Sequence, residues 1–110
     1  MNKYRNIKSE YGGVRYDSKA EATFARELDL RMHAQGKDKV ESWERQIPIK
    51  LIVNDQLICT YKVDFLVRYA DGRKEMVEVK GYWTPEAKLK LKLFRATFLL
   101  DHPEINYVIR

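Results

Sequence analysis

At 110 residues the chain suits a single domain, and 45% hydrophobic residues give it a core of its own. The formal net charge of +5, with 34% charged residues, favours a polyanionic partner through steering and phosphate contacts. A single cysteine, Cys59, excludes an internal disulfide and a thiolate zinc cluster.

That lone thiol fits a reducing compartment. Met1 to Glu10 is polar and lacks the apolar stretch of a signal peptide, and no apolar run reaches membrane-spanning length. A soluble, cytoplasmic protein is expected.

Residues 1–16 read as a basic, loosely held N-terminal arm with a turn at Gly12-Gly13, and residues 17–110 as one domain. A first helix is predicted from Ser18 to about Gln35, capped by Asp17 or Ser18 and ended by Gly36. Phe24, Ala25, Leu28 and Met32 form its apolar stripe. A β region follows, with Ile47, Ile49, Leu51 and Val53 alternating and a turn at Asn54-Asp55. Next come a strand from about Leu57 to Tyr69, a turn at Asp71-Gly72 and a strand from Glu75 to Lys80. Thr84-Pro85-Glu86 starts a second helix: a cap residue, a proline at the first helical position, then an acid. It is expected to reach Leu100 and to bury Leu89, Leu93, Ala96 and Leu100. Asp101-His102-Pro103 stops it, and Ile105 to Ile109 forms a last strand. The element order is α-β-β-β-α-β, an α/β arrangement.

The hairpin over Asp71-Gly72 can be placed in register. Opposed residues of an antiparallel pair share a face, so the core-facing residues must meet: Val63 with Val79 and Phe65 with Val77. This requires a three-residue Ala70-Asp71-Gly72 loop with Gly72 left-handed. A two-residue loop would shift the pairing by one and bury charges. In the accepted register Asp64 lies opposite Glu78, and Lys80 shares their face. Opposed acids repel unless a cation sits between them, and two carboxylates with a backbone carbonyl suit Mg²⁺. The bland alternative is a solvent-facing strand side.

Glu86-Ala87-Lys88 has the same Glu-x-Lys spelling, but in a helix such positions do not face each other. Glu21 is a fourth candidate with two roles open. It completes a capping box with Ser18, and it borders the buried stripe, from which it could point towards the sheet. Candidate phosphate contacts are Arg15 and Lys19 near Glu21, and the basic face Lys88, Lys92 and Arg95 of the second helix. Tyr82 could stack on bases or sugars, whereas Trp83 is expected to seal a core edge. His33 and His102 have no partner at metal spacing, against an HNH or zinc nuclease.

Tyr61-Lys62-Val63-Asp64-Phe65 and Val77-Glu78-Val79-Lys80-Gly81, with Ser18-Lys19-Ala20-Glu21 on a preceding helix, resemble the PD-(D/E)XK nuclease superfamily. The likeness covers about residues 17–110 and is nearest to small phage and prophage Holliday-junction-resolvase-like endonucleases. Val63 stands where the superfamily often has proline. The resemblance implies a restriction-endonuclease-like core, a mixed central sheet flanked by helices. It also implies a Mg²⁺-dependent DNA endonuclease, with Mn²⁺ able to substitute. Asp64, Glu78, the Val79 carbonyl and Glu21 would hold the metal, and Lys80 would orient or activate water. Branched or duplex DNA, a homodimer, a role in DNA recombination and, for a phage-encoded chain, the host cytoplasm are the further expectations. The alternatives are a phage DNA nicking or end-processing nuclease, and a non-catalytic DNA-binding domain with a vestigial site.

Overall fold

The computed structural model describes residues 8–110; residues 1–7 of the expected arm lie outside them. The elements in chain order are β1 (Ser9–Tyr11), β2 (Val14–Tyr16), α1 (Lys19–Arg31), β3 (Val40–Val53), β4 (Gln56–Tyr69), β5 (Lys74–Glu78), α2 (Pro85–Ala96), the four-residue α3 (Phe98–Asp101) and β6 (Ile105–Ile109). The fold is mixed α/β and rich in strand. Its central sheet runs β3-β4-β5-β6, antiparallel except for the parallel β5–β6 pair that α2 and α3 connect. Among the described residues no helix is long and apolar enough to cross a membrane.

The expected hairpin register is observed. Phe65 pairs with Val77, and the turn closes through the Tyr69 N–H to the Arg73 carbonyl, 2.9 Å, with Gly72 at φ +95°. Only glycine takes that backbone without cost. Phe65, Val67 and Val77 pack with Phe24, Ala25 and Leu28 of α1, while the alternating Leu66 and Met76 pack with Phe94 of α2. The two helices therefore cover opposite faces of the β4–β5 pair.

One premise of that register needs correction. Val63 joins the α2 core with Tyr61, Ile49 and Leu51, although it shares parity with Phe65 in the α1 core. The long β3–β4 hairpin turns over between these positions while its register persists, Arg45 with Phe65 and Ile47 with Val63. Gln46, between Arg45 and Ile47, takes φ +54°, a conformation that non-glycine residues rarely adopt.

Other boundaries move for local reasons. Residues 9–16 are a hairpin rather than a loose arm: Tyr16 is buried, and the Tyr11 hydroxyl donates to Asp29 of α1 at 2.5 Å. β3 starts at Val40, well before Ile47. The second helix breaks at Thr97, whose hydroxyl donates back to the Leu93 carbonyl at 2.7 Å and whose backbone leaves the helical region. Of the expected stripe Leu93 packs in the core, but Leu89, Ala96 and Leu100 do not. Leu89 and Leu100 are exposed, and the buried face centres on Phe94 with Leu91, Leu93, Phe98 and Leu99.

Candidate active site

The β4–β5 ladder ends at Phe65 and Val77, and the strands part beyond it. Parting leaves the Val79 N–H without a strand partner, and Asp64 Oδ2 accepts it at 2.8 Å. The other side of the β5 strand stays supported by β6. The Arg110 N–H donates to the Glu78 carbonyl at 2.8 Å and the Lys80 N–H to the Arg110 carbonyl at 3.4 Å. Asp64, Glu78 and Lys80 thus gather where the sheet opens.

Glu21 comes to the same place from the first turn of α1. Its N–H donates to the Ser18 hydroxyl at 3.1 Å, which is half of a capping box. The other half is not made: the carboxylate leaves Oε2 buried without a partner and lines a pocket with Asp64 and Lys80. Of the two roles open to Glu21, the backbone of the residue serves the cap and its carboxylate serves the pocket.

The pocket encloses about 410 Å³ between the α1 N-terminus, the hairpin bend and the segment after β5. Glu78 lies behind its wall and is fully buried. Neither Glu78 oxygen has a hydrogen-bond partner, and Lys80 Nζ stands 3.9 Å from Oε2. Desolvation first, and the charge of Asp64 second, raise the Glu78 carboxyl far above the usual carboxylate range. The same two causes push Glu21 up to about 7, while Lys80 and Arg45 pull it down. Buried acids with raised pKa values around one pocket are the arrangement that active sites use and cores avoid. Among the described residues no three of His, Cys, Asp and Glu form a ready metal cluster, so the acids surround the pocket without closing on one point.

The remaining candidates divide. Tyr82 is exposed and lines the pocket, and Thr84, whose hydroxyl caps α2 by accepting the Ala87 N–H at 3.0 Å, lines it too. Lys88 lies one turn along α2 and is exposed, as is Lys92. Arg95 sits over the Tyr107 ring, 5.7 Å from its centroid, on a separate groove. Lys19 is exposed beside the pocket on a neighbouring groove, and Arg15 is exposed on β2. Trp83 is only part-buried, and the Lys80 ammonium lies 5.9 Å from its ring centroid, an aromatic face that steadies the cation.

Three residues that sequence reasoning passed over belong to the site. Gln46 and Lys62 line the pocket on its hairpin side. Arg45 lies 4.5 Å above the Tyr16 ring, and its charge acts on Glu21. Lys62 could have been found, since it is two residues before Asp64 on the same strand. Gln46 and Arg45 could not: they reach the site through the bend of β3, which no local pattern announces.

The chain matches, over residues 1–109, the family model described as a protein of unknown function (DUF1064), and belongs to that family. No curated protein matches it.

Proposed function

We propose that this DUF1064 member is a Mg²⁺-dependent endodeoxyribonuclease with a PD-(D/E)XK-type site, structure-selective for branched DNA in the manner of Holliday-junction resolvases. The observation that carries the reading is the meeting of Glu21, Asp64, Glu78 and Lys80 where the β4–β5 ladder opens. Buried acids in mutual repulsion, three of whose oxygens lack a hydrogen bond, offer the oxygen donors that a hard divalent cation takes.

Asp64, Glu78, the Val79 carbonyl and Glu21 would hold Mg²⁺ or Mn²⁺. Such a cation supplies Lewis-acid stabilisation of the phosphoryl charge and a lowered pKa for water. Lys80, held between Glu78 and Trp83, orients the attacking water and offsets negative charge. Attack at phosphorus with departure of the 3′ oxygen leaves 5′-phosphate and 3′-hydroxyl ends. Tyr82, which lines the pocket, and the exposed Lys19 and Lys88 would hold flanking DNA, with Arg15, Lys92 and Arg95 as outer cations. Symmetric cutting of a junction requires two such sites and hence a homodimer.

The test is incubation of the purified protein and Mg²⁺ with four-way junctions, flaps, nicked and linear duplexes. Junction cleavage beyond duplex cleavage is expected. Junctions, flaps, nicked and linear duplexes all left intact would overturn the proposal, and equal cutting of all of them would replace junction selectivity by general nicking or end-processing.

A further inference from the structure

A second groove, about 500 Å³, lies against the candidate active site on the side away from the hairpin bend. The two adjoin, with Ala20 and Val79 lining both, so successive units of a linear ligand could occupy them. Phe24, Ala20 and Val79 make its floor apolar, and Lys19 and Arg110 supply two cations. Its one acid, Glu27, is engaged by Arg31 at 2.9 Å. The groove therefore presents net positive charge beside a hydrocarbon floor.

Arg110 is the informative member. Its backbone, just past the end of β6, is bonded to Glu78 of β5 and to Lys80, so its side chain starts beside the strand that carries the candidate site. The guanidinium carbon lies 5.0 Å from the Phe24 ring centroid, and among the described residues it has no ion pair. A guanidinium resting on an aromatic face is pre-organised, and its N–H fork matches two phosphate oxygens.

We infer that this groove is a backbone-binding subsite for one nucleic-acid strand, in which Arg110 and Lys19 take the phosphate next to the scissile one and Phe24, Ala20 and Val79 support its sugar. The inference rests on the nuclease reading. It routes the strand from Lys62, past Asp64 and Lys80, over the α1 N-terminus to β6. The outer face of α2, where Lys92 and Arg95 lie, is then off the main path. A phosphodiester strand is preferred over an uncharged or cationic ligand because both free charges in the groove are positive and the groove adjoins the pocket.

The experiment is binding of fluorescently labelled duplex and four-way-junction DNA by the full chain in Ca²⁺, over a series of salt concentrations. Each phosphate contact contributes about 0.9 to the slope of log affinity against log salt for duplex DNA. Arg110→Ala and Lys19→Ala are expected each to lower the slope by about that amount and to weaken binding about fivefold. Arg110→Lys restores the slope, which a merely structural role would not do, and all variants keep the wild-type melting temperature. Lys92→Ala with Arg95→Ala leaves the slope nearer to wild type. If the wild type binds and cuts DNA but Arg110→Ala has an unchanged slope, the groove is not a subsite and the nuclease reading stands. If the wild type neither binds nor cuts, the reading falls and the subsite with it.

Discussion

Glu78 is fully buried with no hydrogen bond to either carboxylate oxygen and, among the described residues, only Lys80, 3.9 Å away, to offset its charge, so its ionised form is costly. Replacing it by the neutral amide removes that cost. Glu78→Gln is expected to raise the melting temperature at pH 8 without divalent cation and to lower cleavage at least about a hundredfold. A variant that melts earlier and cuts normally would contradict this role. Lys80→Ala should cost cleavage about a hundredfold or more with stability near wild type, whereas Glu86→Gln, the same spelling on a helix, should change neither. Asp64, Glu78 and Lys80 were picked out by the register that sets Phe65 opposite Val77, although the sharing of faces behind that register fails at Val63. Glu21 was legible only as a choice, since a capping box and a site acid have the same spelling until the carboxylate is seen turned into the pocket. Arg45 was hidden, because its contact with Tyr16 depends on a hairpin packing where a loose arm is expected.

At the scale of elements, the two long helices start on side-chain caps, Ser18 for α1 and Thr84 for α2. Thr84 accepts the Ala87 N–H, and Thr84→Ala should destabilise the fold by about 1 kcal/mol in denaturant melts. The site would suffer too, because Thr84 lines the pocket. The bend at Gln46 supports a different expectation. Gln46→Gly retains the left-handed backbone and should leave stability within about 1 kcal/mol of wild type, while Gln46→Val should lose about 1–2 kcal/mol more. Equal midpoints for the two variants would show that the bend carries no strain. Local chemistry made the Ala70-Asp71-Gly72 turn and the Thr84-Pro85 start readable. It did not reveal the break at Thr97, where a hydroxyl competes for a helix carbonyl, and of the apolar stripe drawn through that break only Leu93 packs in the core. Nor did alternation reveal the turning-over of β3–β4, since Val63 and Phe65 look alike in sequence and bury in different cores.

For the whole molecule, the acids couple stability to pH and to cations. The Glu21 carboxyl binds its proton more tightly folded, at about 7, than its ordinary 4.5, so the native state holds more protons than the unfolded one between those values. Stability is then full below about pH 4.5 and falls as pH rises through 7, and Glu78 extends the fall in the same direction. Differential scanning should show the cation-free protein melting about 5 °C or more lower at pH 8 than at pH 5. Millimolar Mg²⁺ should recover much of this at pH 8 and little at pH 5. A stability that rises with pH would mean the acids are already compensated within the fold. The molecule is a plate, 43 × 41 × 20 Å, with the candidate site at the opening of its sheet.

The central claim is that the opened β4–β5 ladder houses a cation-dependent cutting site. Its most direct measurement is cleavage of labelled branched DNA with Mg²⁺ by the wild type and by Asp64→Asn, each repeated in EDTA. Cleavage by the wild type alone, only with Mg²⁺, and with ligatable 5′-phosphate ends is the result predicted. Cleavage that persists in Asp64→Asn or in EDTA, or no cleavage by the wild type of any DNA offered, would contradict it.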